Sequence, residues 1–443
     1  MKRPLPAAAL CLLCLPAAGQ AATPADPADE LAELRAEVAA MRAELAALKS
    51  GDAGWTDAAR EAEVREAVDA AIVGTQAETG TGPGGTQGDG GPRGGYDGNK
   101  FFLEGPGHRL DLAGLLQFRH VALQDDADGA EDPTGFEVRR ARLAFSGHVI
   151  DPKLTFFLQL DAGRDGGDLF VLDAVAQYEF DNGVQVMAGR MVLPFLYEQL
   201  LSIKRQLAVD RSITSGFFNL NRSEMVRVDA PLGDRFQVLG AFSDGGNRDR
   251  TGALNDATDW AFTSRLEARL LGDAKEGATS TAIDTPTTLL LGAAGHAQRN
   301  NDEAGGGADT LTAWTADAVF KTGRLATTFV YVGASADGFD AYGLGAQAGV
   351  SVTDQLQPFL RYDFLDDGEV DAVQAVTAGI NWYLSGNAAK FTIDGVYVFE
   401  APAGFGDTAP DGLANAAFSS GLGLASPGGG DQLAIRTQFQ LLF

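Results

Sequence analysis

The chain is poor in cysteine, in histidine and in long apolar runs. Its two cysteines, Cys11 and Cys14, both sit within the first fourteen residues. Cleavage of that segment would leave a mature chain without thiol chemistry or a disulfide framework. The four histidines, His108, His120, His148 and His296, are scattered with no metal-ligand spacing, and no cofactor motif is present. After the N-terminal segment no run approaches the ~18 apolar residues of a transmembrane helix. This excludes helical spans but not strands, because a barrel strand shows lipid only alternate side chains. Basic residues are the minority, 34 against 60 acidic for a net charge of -26, which argues against nucleic acid as a partner.

The N-terminus has the form of a secretory signal. Lys2 and Arg3 precede an Ala/Leu-rich stretch, Pro4 to Ala18, and the small-x-small pattern Gly19-Gln20-Ala21. The expected signal peptide is 1–21. Within 22–78, Leu31, Leu34, Val38, Met41, Leu45 and Leu48 recur at spacings of three and four across Asp29–Ser50. That is a heptad seam and predicts a short coiled-coil helix, or one amphipathic helix packed on the remaining chain. Residues 79–99 are dominated by Gly, Thr, Pro, Asp and Arg, the composition of a flexible linker.

From about Arg109 the period becomes two. Leu433, Ile435, Thr437, Phe439 and Leu441 alternate with Gln432, Ala434, Arg436, Gln438 and Gln440. Trp260, Phe262, Leu266 and Leu270 alternate with Thr263, Arg265, Glu267 and Arg269, and Leu154, Phe156, Leu158 and Leu160 with Thr155, Phe157, Gln159 and Asp161. A soluble antiparallel sheet with its greasy face inward shows the same alternation. The connections separate the two readings. Short turn signals at Gly147–Lys153, Asp181–Gly183, Ala230–Asp234, Lys321–Arg324, Thr353–Asp354 and Ser385–Asn387 alternate strictly with long connections at Ala122–Gly135, Met191–Ser223, Ser243–Thr258, Gln298–Asp309 and Glu400–Asp431. Short periplasmic turns and long outer loops are the asymmetry of an outer-membrane barrel. One connection, Gly272–Pro286, is longer than its place on the short side predicts. The expected fold is all-β: a transmembrane antiparallel barrel of about 16 strands over 100–443, following the N-terminal coiled-coil helix. Its final strand ends in aromatic Phe443, which looks like the assembly signal of outer-membrane proteins.

FEVRRARLAFSG (Phe136–Gly147), DAVAQYEF (Asp173–Phe180), GRMVLPFLYEQL (Gly189–Leu200) and VDRS (Val209–Ser212) fall in one order and spacing. This series resembles the phosphate-selective porin O and P family. The resemblance implies a homotrimeric, 16-stranded outer-membrane channel with an inward-folded third loop, here Met191–Ser223. It also implies an anion pathway lined by Arg and Lys. A channel for passive diffusion of small hydrophilic solutes, anions such as phosphate among them, is therefore expected, with membrane lipid and solute as partners and the coiled coil in the periplasm.

The residues carry their own argument. If Leu143 and Phe145 face lipid, Arg140 and Arg142 face the lumen, and Lys204, Arg205, Arg211 and Arg222 lie on the inward loop. Guanidinium groups in a narrow pore attract anions. The competing expectation pairs these arginines with Asp161, Asp173, Glu179, Glu198 and Asp210, stiffening the barrel only. Lysine is scarce after the linker, and Lys153, Lys321 and Lys390 lie near the short turns, unlike the lysine ladder the family leads one to expect. A general or carbohydrate porin and a structural anchor are the alternatives. An esterase built on Ser146 and His148 would need a Ser–His contact and a third, orienting group, which nothing marks. The acidic sets Asp125, Asp126, Asp128 and Asp244, Asp249 lack the ordered spacing of a calcium loop and read as solvated loops.

Overall fold

The computed structural model describes residues 91–96, 100–164, 167–247, 258–272, 279–300 and 310–443. The expected signal peptide, the coiled coil and most of the linker lie outside the described residues. Period-two sequence forms strands throughout the described part: β1 (Arg93–Tyr96), β2 (Phe101–Gly105), β3 (His108–Asp125), β4 (Thr134–Val149), β5 (Asp151–Ala162), β6 (Leu169–Glu179), β7 (Gln185–Val192), β8 (Arg222–Leu232), β9 (Phe236–Ser243), β10 (Thr258–Leu271), β11 (Thr285–Asn300), β12 (Thr310–Gly323), β13 (Leu325–Ala336), β14 (Phe339–Val350), β15 (Leu356–Asp366), β16 (Val373–Ser385), β17 (Ala389–Ala401) and β18 (Gly430–Leu442). Each strand from β3 onward pairs antiparallel with the next, and β18 pairs back onto β3 from Gln432↔Asp125 to Leu442↔Leu115. All but the first two of the eighteen strands therefore close one barrel of sixteen. Closure leaves no sheet edge, which backbone polar groups in lipid require. β1 falls inside the stretch expected to be linker. It is a strand because β2 pairs it, Arg93↔Glu104 to Tyr96↔Phe101, while β2 itself pairs the start of β3.

The two faces settle lipid against solvent. On β18, Ile435 is 44% exposed while Arg436 on the opposite face is 1% exposed. On β10, Phe262 and Leu266 are exposed, and Thr263 and Arg265 buried. Greasy side chains point outward and polar ones inward, the inverse of a soluble sheet. The alternation fails at one end of β12–β17. There Leu311, Val332, Leu365, Val373 and Val398 are buried on the inner face. They pack against Phe195, Phe217 and Phe218 of the β7–β8 connection and Phe405, Leu413 and Leu422 of the β17–β18 connection. The hydrophobic core thus lies inside the barrel, where two long connections fold in and need apolar partners.

Connections on one end are short: residue 150, 180–184, 233–235, residue 324, 351–355 and 386–388, with 272–284 the long exception. The other end carries 126–133, 163–168, 193–221, 244–257, 301–309, 337–338, 367–372 and 402–429. The expected strict alternation of short and long breaks at 337–338, where two residues suffice because Gly338 takes φ +75°.

Candidate functional site

The connection 193–221 enters the lumen. It forms α1 (Tyr197–Leu200), a single 3₁₀ turn at Ile203–Arg205 and α2 (Ile213–Phe218). Ser212 caps α2, its hydroxyl accepting from Ser215 N at 2.9 Å, and the Glu198 carboxylate accepts from the Ser212 hydroxyl and amide. Irregular backbone inside a barrel needs hydrogen-bond partners, and long lumenal side chains supply them. Lys390 Nζ donates to Gln206 O at 2.8 Å, Asn381 to Leu207 O at 2.9 Å, Gln440 to Lys204 O at 3.0 Å and Arg361 to Asp210 O at 3.1 Å. Asp394 accepts from Val209 N at 2.8 Å. The β15–β18 wall therefore holds one side of the loop. Lys390, near a short turn in the sequence, is thus a buried loop anchor.

Asp210 fixes the other side. Its buried carboxylate meets Arg140 at 3.0 Å, Arg139 at 2.9 Å and Arg119 at 3.6 Å, on β4 and β3. Arg139 reaches inward because a bulge between Gln117 and Phe118 inserts it as an extra residue on β4. Burial alone would raise the Asp210 carboxyl, and the three guanidinium groups more than reverse that, holding it well below the usual carboxylate range. At the loop's start, Arg265 of β10 donates to Phe195 O at 2.9 Å and to the Asp317 carboxylate of β12 at 2.7 Å. The pair crosses directly over Gly292 of β11, where an added Cβ would lie 2.1 Å from the Arg265 guanidinium.

Anchored on these sides, the loop leaves a cavity of about 370 Å³ against β3–β8, lined among others by Arg142, Lys204, Arg211, Arg222 and Arg227, with Asp173 the acid. A second, of about 290 Å³, lies against β9–β12 and is lined by Arg205, Arg265 and Arg269 with Glu267 and Asp317. Leu200 and Ser202 line both. Of the six residues singled out from sequence, Arg142, Lys204, Arg211 and Arg222 come together on the first cavity and Arg205 lies on the second. Arg140 faces inward but is enclosed between Asp210 and Gln117, its Nη1 donating to Gln117 Oε1 at 2.9 Å.

Pairing is substantial on the strands. Arg142 Nε donates to Asp161 at 2.7 Å, Arg222 binds Asp173 in a fork at 2.9 and 3.0 Å, and Arg227 does the same with Asp229. On the loop, Arg211 donates to the carbonyls of Glu198, Gln199 and Leu201. Lys204 is half-buried and makes no ion pair among the described residues; burial, then Arg205 and Lys100, lower its ammonium below the ordinary lysine value. Sequence reasoning missed Arg227, Arg265 and Arg269 as lining residues, although the polar faces of β8 and β10 carried the signal. It also missed the role of Asp210, which depends on β3 and β4 arriving beside a loop some 70 residues on.

The anomalous connection 272–284 has a structural cause. Its described part turns inward, where the buried Lys321 ammonium of β12 donates to Thr279 O and Thr281 O, and Gln357 of β15 to Ser280 O. Ser280 N in turn donates to Arg205 O at 3.2 Å, so this turn props the inward loop from below. Ser146 accepts from Lys100, and no hydrogen bond joins it to His148 among the described residues.

Among solved structures, an anion-selective porin from Comamonas acidovorans is similar, with a TM-score of 0.55 and 16% identity over 76% of this chain and 100% of that one. OmpF of Salmonella typhi in complex with daunomycin gives 0.52 at 13% identity, covering 79% and 100%. OmpT of Vibrio cholerae gives 0.51 at 11% identity, covering 76% and 99%. At such identities the likeness shows the fold alone. No curated protein matches the chain. The profile of the phosphate-selective porin O and P family matches residues 120–396, well over half of the sequence. With a closed barrel that is greasy outside and a third long connection folded into a basic lumen, this chain belongs to the phosphate-selective porin O and P family of outer-membrane channels.

Proposed function

We propose that the protein is a passive channel for small hydrophilic anions, phosphate among the candidates. One observation carries this: five cationic side chains and a single carboxylate line the cavity between the inward loop and the β3–β8 wall, in a chain whose net charge is -26. Low-dielectric walls focus that local excess, and acidic outer loops more than a Debye length of ~8 Å away are screened. Arg142 and Arg222 are matched by Asp161 and Asp173, so the excess rests mainly on Lys204 and Arg211 and the preference is moderate rather than strong. No catalytic chemistry is assigned. A homotrimer, as the family resemblance implies, is the assembly in this reading, and the heptad pattern of Asp29–Ser50 adds association of those segments in the periplasm. Reversal potential in a planar bilayer under a salt gradient tests the anion preference, and a wild-type channel favouring cations refutes it. Native mass spectrometry tests the trimer, and a monomeric barrel refutes that part.

A further inference from the structure

We infer that this channel favours small organic anions with an apolar body, carboxylates carrying an aromatic or aliphatic group, over inorganic phosphate. The inference rests on the anion-channel reading and narrows its solute class. The cavity beside the inward loop has two unlike sides. Its surplus positive charge sits on the loop, at Lys204 and Arg211. Its strand side carries a contiguous apolar patch. Phe157 of β5 lies on the inner face and is 37% exposed, though barrel lumen faces are ordinarily polar. It pairs across the sheet with Val175 of β6, and Val175 pairs with Gly189 of β7, flanked on the same face by Met187 and Met191. The strand cations that share this wall are already matched by carboxylates, so the wall offers apolar surface and paired charge.

A tetrahedral oxyanion presents acceptors in every direction. Against this cavity it would gain donors on one side and lose water on the other, and an acceptor desolvated without a partner is costly. An amphipathic carboxylate fits both sides: its oxygens meet the loop cations while its body covers the exposed Phe157 ring and the half-buried Val175, backed by the buried Met187 and Met191, whose thioethers are polarizable and adapt to varied shapes.

The test is block of chloride current through the full-length protein in planar bilayers, by benzoate and by inorganic phosphate, at a mildly acid pH where both are monoanions. Benzoate should half-block at a concentration at least about fourfold lower, the factor that one methylene-sized area of apolar contact supplies. Phe157→Gln should bring the two values together, and the near-isosteric Val175→Thr should narrow them if the first variant assembles poorly. Phosphate blocking as well as or better than benzoate in the wild-type channel overturns the inference, as does a benzoate advantage that survives both substitutions. The reversal potential in a potassium chloride gradient separates the two levels. Cation preference removes the anion reading and this inference with it, whereas anion preference with equal block removes this inference alone.

Discussion

Asp210→Asn swaps a carboxylate for an amide of nearly the same shape at the point where the inward loop meets β3 and β4. In the native chain the side chains of Asp210, Arg119 and Arg140 are 3%, 0% and 5% exposed, with N–O contacts between 3.0 and 3.6 Å. Arg119 keeps Glu137 as a second partner, whereas the structure pairs Arg140 with no other carboxylate among the described residues. Removing one member of a buried pair costs about 3–5 kcal/mol, because the remaining charge stays desolvated. At about 1.36 kcal/mol per decade that is roughly a 10²- to 5 × 10³-fold loss in the ratio of latched to unlatched loop. The least costly relief is for 207–211 to leave the β3–β4 wall, since the barrel ladder does not depend on it. The expected outcome is a barrel that still runs as a heat-modifiable band on gels, with larger single-channel conductance, more open-channel noise and a reversal potential shifted toward anions as Arg139 and Arg140 are freed. The double variant Arg140→Gln, Asp210→Asn removes the more deeply buried of the two stranded charges, leaving Arg139, whose side chain is 16% exposed, and should recover most of the quiet, low-conductance state. A single variant with native conductance, noise and selectivity refutes the latch.

The same carboxylate gives a pH dependence. Held below its unfolded value of ~3.9, it contributes stability above that value and loses it only as pH falls through the lowered native one. Conductance noise should therefore stay flat from neutral pH to about pH 4 and rise below, and a rise near neutrality would contradict the pairing. Lys204→Gln with Arg211→Gln should move the reversal potential toward cations more than Arg142→Gln with Arg222→Gln, whose charges are already matched; equal shifts would show that pairing does not set the field. Gly292→Val would force the Arg265–Asp317 pair apart at the loop's start and should lower the temperature at which the folded band is lost, by an amount consistent with about 3–5 kcal/mol; an unchanged transition would remove that anchor from the account. Lys321→Met unties residues 279–281 and should raise noise without changing the sign of selectivity, read in the same bilayer records.

Much of the fold was legible because a strand carries its environment in its period. Alternation along β5, β10 and β18 named the lipid-facing side chains, and turn signals placed the short connections, because both depend on neighbours two to four residues apart. The excess length of Gly272–Pro286 was also visible, and so was the inward parity of Arg140 and Arg142. Tertiary structure alone decided what those inward groups do. Arg140 and Arg142 are two residues apart with the same parity, yet one is sealed under Asp210 and the other lines a cavity, because only the first lies where the loop crosses. Lys321 and Lys390 looked like turn lysines and proved to hold incoming backbone. The inward apolar patches of β12–β17 broke the alternation for want of any local signal that loops from 193–221 and 402–429 would cover them. Local period sets which way a side chain points. What it meets there depends on chain segments one to three hundred residues away, as with Gln117 and Gln440, and no spacing rule reaches that far.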